Sequence, residues 1–309
     1  MGLVASLATR GRPQQLLATL QRHMACMTRP DTKMIVQCDQ DDFATIAVLG
    51  GAQLDPRVSI NIKPREDTVA AKWNRGLSEP GDVYLCAADD DPYLTPSIDE
   101  KILQSAANFP DGIGLIYGRL ANLSFPCVIA YTAKWPEVFD GKLQPEYFPY
   151  WFADHWTDDV GRMIGRIKWL DITTDQSKAG KTMEMREPGW WATWFDAAYR
   201  FRRSQALKII DSPQFQSPDW LKEHLRTSYL EVEVRSKNIN ESVRAQQRQF
   251  AMWSGLNTQD ERYKRIRAAA VEILPHLLND YGMEPDERRA YQEALDPPKT
   301  ITALPRAYA

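Results

Sequence analysis

Three consecutive aspartates, Asp89-Asp90-Asp91, follow directly on the apolar run Val83–Ala87 (VYLCA). Carboxylates packed side by side repel one another unless a positive charge neutralises them, and their hard oxygens suit Mg²⁺ or Mn²⁺. A cation held there can bridge a diphosphate and stabilise it as a leaving group. Aspartates also favour plain turns and helix N-termini. The position after a buried strand is what raises the metal reading above that alternative.

Three further polar clusters follow apolar runs or open helices. Thr9-Arg10-Gly11-Arg12-Pro13 comes after Leu3–Ala8; Arg10 and Arg12 can meet phosphates, and Gly11 lets backbone approach closely. Asp39-Gln40-Asp41-Asp42 comes after Lys33–Cys38 (KMIVQC). Asp41 or Asp42 serves as a helix cap, which leaves Asp39 to accept hydrogen bonds from a ribose or a base. Thr157-Asp158-Asp159 is preceded by His155-Trp156. With Thr157 as cap, a helix runs from Asp158 to about Arg166. An acid at its start stays ionised in the field of the helix N-terminus and can serve as general base towards an acceptor hydroxyl. Trp151, Trp156, Trp190, Trp191 and Trp194 offer faces on which a sugar ring can stack, but tryptophan is also a core anchor. Core packing is the expectation for most of them. His155, Trp156, Trp190 and Trp191 are the acceptor-side candidates, with a packing role the more common fate of a residue such as His155.

The elements that must position these residues alternate. Strands are predicted at Leu3–Ala8, Lys33–Cys38, Val58–Ile62, Val83–Ala87, Ile113–Tyr117, Cys127–Thr132 and Ile167–Ile172. Helices fall between them, from Pro13 to about Met27, at Asp42–Leu49, at Thr68–Leu77 capped by Asp67 or Thr68, and at Thr95–Asn108. This pattern predicts right-handed βαβ units and a mostly parallel sheet, which binds ligands at the carboxyl ends of its strands. The first three polar clusters fall on that edge. Beyond residue 172 the chain turns helical, with Ala197–Ile210, Asp219–Arg226 and a long amphipathic helix Thr258–Tyr281 that Pro275 should kink or split. The tail Pro297–Ala309 reads as poorly ordered.

Composition bounds the rest. The chain has 309 residues, 43% hydrophobic and 26% charged, with a formal net charge of −3, so no global basic field advertises nucleic acid. From Arg200 to Arg267 there are 14 Lys and Arg against 8 Asp and Glu, an excess that suits a solvated face or an anionic acceptor. Cys26, Cys38, Cys86 and Cys127 form no C-x-x-C pair and read as reduced core residues of a cytoplasmic protein. With only four histidines, well separated, a zinc site built from Cys and His is not expected. The apolar start reads as a first strand, not a signal peptide, and no apolar run approaches the ~20 residues of a transmembrane helix.

Taken in order, ATRGRP after the first strand, VQCDQDD, EDTVAAKWNRGL, VYLCAADDD, CVIAYTAKWPEVF and HWTDDVGRMIGR resemble the family 2 type glycosyltransferases with the GT-A fold, over about residues 3 to 172. The resemblance implies a Rossmann-like α/β core, residues 1–172, that binds a nucleotide sugar and carries catalysis. Residues 173–309 then form an acceptor-side loop and helical C-terminal region. It implies that Thr9 and Arg10 line the nucleotide site, that Asp39 contacts uracil or ribose, and that Lys72, Asn74 and Arg75 lie near the donor. Asp89 and Asp91 become a metal-binding D-x-D, with Asp90 touching ribose or metal. Asp158 or Asp159 becomes the base, implying inversion at the anomeric carbon. The partners implied are a UDP- or GDP-sugar donor, an acceptor that is a glycan, a small molecule or a nucleic acid, and Mn²⁺ or Mg²⁺. Two departures stand out. The acids at the base position are Asp-Asp rather than Glu-Asp, with Arg162 and Arg166 out of step. The downstream histidine is missing between Asp171 and Trp190, where Asp175, Glu187, water or the diphosphate must complete the metal shell.

Rival readings are a polyanion- or DNA-directed glycosyltransferase, a non-catalytic nucleotide-sugar-binding or scaffold protein, and a nucleotidyltransferase. The last wants a glycine-rich loop after the first strand, whereas ATRGRP has a single glycine.

Overall fold

The structure is a computed structural model, and it describes residues 2–120, 123–149, 151–175, 187–246 and 261–295. Strand β1 (Leu3–Ala8) is buried along its whole length. It runs parallel to β2 (Lys33–Asp39) on one side and β4 (Val83–Ala88) on the other. A strand with no polar face belongs in the middle of a sheet covered on both sides. Its residues divide with the period of two: Leu3, Ala5 and Leu7 enter one core, and Val4 enters the other.

β3 (Val58–Lys63) pairs outside β2 and leaves Ile60 and Ile62 exposed at the sheet's edge. Beyond β4 come β6 (Leu123–Thr132), β5 (Leu115–Leu120) and β7 (Ile167–Trp169). The seven strands lie in the order β3-β2-β1-β4-β6-β5-β7. Only β6 runs against its neighbours, so β1 to β5 and β7 point their carboxyl ends to one edge. The mostly parallel sheet matches the sequence reading. The antiparallel direction of β6 was not expected; a short return from β5 leaves no room for a crossover.

Helices cover both faces. α1 (Pro13–Ala25), α2 (Phe43–Gly51) and α4 (Ile98–Ala106) close one core. α3 (Val69–Asn74) lies across the other face, and Thr68 caps it by accepting from the Ala71 amide at 3.1 Å. α5 (Trp135–Val138) leads to α6 (Ala153–Met163), which packs on that same face together with α7 (Pro188–Ala197), α8 (Tyr199–Asp211), α9 (Asp219–Thr227), α10 (Leu230–Ala245), α11 (Glu261–Asn279) and α12 (Pro285–Leu295). The second core therefore runs across residue 172 without a break, joining the sheet face to the C-terminal helices. α11 continues through Pro275 rather than splitting there. Its expected first residues, 258–260, and the tail from Pro297 lie outside the described residues.

One boundary changes the functional argument. α6 begins five residues earlier than predicted. Thr157 does not cap; its hydroxyl donates back to the Ala153 and Asp154 carbonyls at 3.4 and 3.0 Å. The helix starts instead at Phe152, which takes a left-handed φ of 78°. The apolar spacing Phe152, Trp156, Val160, Ile164 carries the helix from there. α6 ends against the first residues of β5 and β7, where Gly161 has no room for a side chain. A Cβ there would stand 2.5 Å from the Leu115 Cδ1 and 3.0 Å from the Ile167 Cγ1.

Gly161→Val is expected to lever α6 off the sheet and to lower stability by about 1–3 kcal/mol, read as a fall in melting temperature. A variant melting like the wild type would show that the approach of α6 to β5 is looser than described.

Candidate functional site

The loops after β1, β2 and β4 meet at the carboxyl edge and are tied together by their own side chains. The Thr9 hydroxyl donates to Asp89 Oδ2 at 2.7 Å. Arg12 spreads its guanidinium over two carboxylates, at 3.1 Å from Asp89 and 2.8 Å from Asp90. Arg10 does the same for Asp39 and Asp41, at 2.9 and 2.6 Å. The Gly11 amide donates to Asp42 Oδ2 at 2.7 Å, and Asp42 also caps α2 through the Thr45 amide. Lys72 reaches in from α3, donating to the Thr9 carbonyl and pairing with Asp39, each at 2.8 Å. The structure thus brings together Thr9, Arg10, Arg12, Asp39, Lys72, Asp89 and Asp90, and Asp91 is next in the same loop.

Burial sets the electrostatics. Asp89 is 1% exposed. Desolvation pushes its carboxyl up to about 6, and Arg12 and Thr9 only partly oppose this. Burial likewise lowers the Lys72 ammonium, with Asp39 pulling the other way. Asp39 Oδ1 is buried without any hydrogen-bond partner, while its other oxygen takes Arg10 and Lys72. An anionic acceptor so placed is costly unless a ligand donates to it.

Two residues that the sequence reading passed over hold the end of β4. Thr19 donates to the Asp89 carbonyl at 2.8 Å, and His23 Nε2 lies 3.1 Å from the Ala88 carbonyl. Burial lowers the His23 imidazole to about 4, so it is neutral and donates from Nε2. Both were visible as polar residues one turn apart on the apolar stripe Leu16, Leu20, Met24.

Other expected site residues are engaged elsewhere. Asn74 clamps the loop before α6. Its Oδ1 accepts from the Leu143 and Gln144 amides at 2.9 and 3.1 Å, and its Nδ2 donates to the Gln144 carbonyl and Glu146. Arg75 ties Glu66 and the Pro64 carbonyl. Arg75 Nη1 is buried without a hydrogen-bond partner. Trp156 and Trp191 are 0% and 2% exposed, because the core of the C-terminal helices closes over them, and they have no face to offer an acceptor. Trp190 donates to the Leu295 carbonyl at 3.0 Å under the Arg267 guanidinium. His155 packs against Phe152 and Phe195, and burial lowers its imidazole to about 3.

Asp158 and Asp159 sit in the second turn of α6, not at its start, and both are fully buried. Asp158 pairs with Arg162 at 3.0 Å and with Arg235 of α10 at 2.5 Å. Asp159 pairs with Arg202 of α8 at 2.9 Å and with Arg235. Arg202 is itself 0% exposed, lies over the Phe195 ring and donates to Ser236. Asp158 Oδ1 is buried without a hydrogen-bond partner, and burial raises the Asp159 carboxyl against the pull of Arg202 and Arg235. The acid in the first turn of α6 is Asp154, which is half-buried. Burial raises its carboxyl, opposed by the amides of the first turn.

Of the two stand-ins for the missing histidine, Asp175 lies beside the aspartate loop. Its amide donates to the Pro92 carbonyl at 2.9 Å, and its side chain pairs with Arg22 at 3.4 Å. Glu187 instead accepts from Tyr263 and Arg267 of α11. Among the described residues no three Asp, Glu, His or Cys converge as a metal cage. The basic excess after Arg200 is largely consumed in ion pairs, including Arg200–Glu287, Arg202–Asp159, Arg226–Asp211 and Arg267–Glu187. No helix among the described residues is long and apolar enough to cross a membrane.

No protein-family profile and no curated protein matches the chain. Solved structures do. S. aureus TarS 1-349 in complex with UDP-GlcNAc superposes with a TM-score of 0.53 at 15% identity, covering 95% of this chain and 91% of that one. TarS 1-349 alone gives 0.51 at 14% identity with the same coverage. Longer TarS gives 0.52 at 12%, and there the chain spans 55% of its length. The chain has the GT-A fold. Within this GT-A chain the linked loops lie at the carboxyl edge where open α/β sheets take ligands.

The two buried titrating groups near Asp89 act on stability with opposite sign. Asp89 is raised from 3.8 to about 6, so its contribution is present below pH 3.8 and lost as pH rises through 6. His23 is lowered from 6.5 to about 4, so stability is lost as pH falls between those values. Asp89→Asn is expected to gain about 1–3 kcal/mol at pH 7.5, and to leave a melting curve that rises from pH 4 to 6.5. A variant less stable than wild type at pH 7.5 contradicts this account.

Proposed function

We propose that the chain is a glycosyltransferase that moves a sugar from a nucleotide-diphosphate donor to an acceptor hydroxyl with inversion. The observation that carries the reading is Asp39, whose buried, unpartnered oxygen sits on a sheet edge already crowded with guanidinium and aspartate. That oxygen suits an N–H or O–H of a nucleoside, and Arg10 and Arg12 suit its phosphates. The GT-A fold, and the TarS crystals with UDP-GlcNAc and with UDP, support a uridine diphosphate sugar as the first donor to try.

Asp154 acts as base in this reading, in place of Asp158 or Asp159. It takes the proton of the acceptor hydroxyl, the oxygen attacks the anomeric carbon from the face away from the diphosphate, and the carbon–oxygen bond to the diphosphate breaks. The nucleoside diphosphate leaves with the bonding pair. Asp89 and Asp91 are hard donors that fit a Mg²⁺ or Mn²⁺ ion whose other positions come from diphosphate and water. Asp175 is close enough in the chain path to assist. When bound, such an ion supplies positive charge to the leaving diphosphate. In this reading Asp158 and Asp159 fasten α6 through Arg162, Arg202 and Arg235.

Asp39→Ala is expected to abolish binding of UDP-GlcNAc or UDP, measured by calorimetry. Asp154→Asn should bind the donor like wild type and lose at least about a hundredfold in turnover. Asp158→Asn should melt lower, with a loss of about 3–5 kcal/mol for the broken buried pair. Full turnover by Asp154→Asn, with an inactive but undiminished Asp158→Asn, overturns the assignment. Failure of every nucleotide and nucleotide sugar to bind overturns the function.

A further inference from the structure

Arg12 stands at the N-cap of α1 but makes no capping bond with its side chain. It folds over the aspartate loop, with Nη2 at 3.1 Å from Asp89 and Nη1 at 2.8 Å from Asp90. One guanidinium thus satisfies two neighbouring carboxylates in the forked geometry that arginine favours. Asp89 Oδ2 is taken by Thr9 and its Oδ1 by Arg12. Both oxygens of Asp89 are thus engaged, and a cation approaching them meets the positive charge of Arg12.

Resting on the donor reading above, we infer that Arg12 is a built-in counter-ion that makes divalent-cation binding depend on the diphosphate. Arg12 and the cation draw on the same Asp89 carboxylate, and both are positive, so each weakens the other. A diphosphate offers Arg12 a second anion of matching fork geometry. The side chain is 20% exposed, so it can turn toward that edge without unpacking a core. Once it does, the carboxylate oxygen it held is open, and the phosphate oxygens complete the cation's shell. Asp39 points to the same occupant independently, since its buried unpartnered oxygen is joined to this loop through Lys72 and Thr9. The consequence is positive coupling between nucleotide diphosphate and metal, which by linkage is equal in both directions.

The test is a Mn²⁺ titration followed by the electron paramagnetic resonance of the free ion, with and without UDP, on the whole chain. Wild type should bind Mn²⁺ at least about tenfold more tightly with UDP present. Arg12→Ala should bind Mn²⁺ alone more tightly than wild type, and the tightening that UDP adds should be several-fold smaller than in wild type, leaving only the share that direct phosphate coordination supplies. Arg12→Lys keeps the charge but loses the fork, and should fall between them; it carries the test if Arg12→Ala does not fold. Asp91→Asn should lose Mn²⁺ binding under all conditions. Equal Mn²⁺ affinity with and without UDP in wild type overturns the inference, as does an Arg12→Ala protein that binds Mn²⁺ alone no better. UDP that binds with normal affinity but without coupling sinks this inference and spares the proposed function. Absence of UDP binding sinks the function instead.

Discussion

Mutual repulsion among Asp39, Asp41, Asp42, Asp89, Asp90 and Asp91 is the constraint around which the sheet edge is built. The chain meets it with its own cations. Arg10, Arg12 and Lys72 each touch at least one of these carboxylates, and the Gly11 amide meets another. Because Lys72 comes from α3, the edge draws on the far face of the sheet as well as on its loops. This compensation is incomplete. Asp89 still holds its proton to about pH 6, and Asp39 keeps one oxygen unmet. A site that is nearly but not fully neutralised is poised for a ligand carrying both negative phosphates and hydrogen-bond donors.

A second electrostatic unit fixes α6. Arg162, Arg202 and Arg235 surround Asp158 and Asp159, and two of these arginines come from helices beyond residue 172. Buried pairs contribute little net stability compared with apolar packing, but breaking one is expensive. Their value here is geometric. They fix the rotation of α6 against α8 and α10.

Much of this was legible in the sequence. Period-two burial, proline and aspartate at helix starts, and polar clusters after apolar runs gave the parallel sheet and the meeting of three loops. Misplacement of α6 had one physical cause. Thr157 looks like a cap, but its hydroxyl bonds back into a helix already under way, and the true start uses a left-handed phenylalanine that no propensity favours. The acids Asp158 and Asp159 then read as exposed helix-start acids, because the arginines that cover Asp159 lie 43 and 76 residues away, beyond any local pattern, and only Arg162 is near in sequence. The same distance hid the burial of Trp156 and Trp191. Asn74 was misread for a related reason: its partners lie on a loop about 70 residues later.

The arginine enclosure of α6 also bears on the order in which the chain can be completed. Synthesis delivers the entire seven-stranded sheet before Arg202 and Arg235 exist. Until α8 and α10 emerge, α6 carries two adjacent carboxylates that must remain in water or take up protons. The sheet's second face stays bare of its helices for the same interval. The chain can close this face only after most of its length has left the ribosome, which ties completion of the sheet's second core to the arrival of the C-terminal helices.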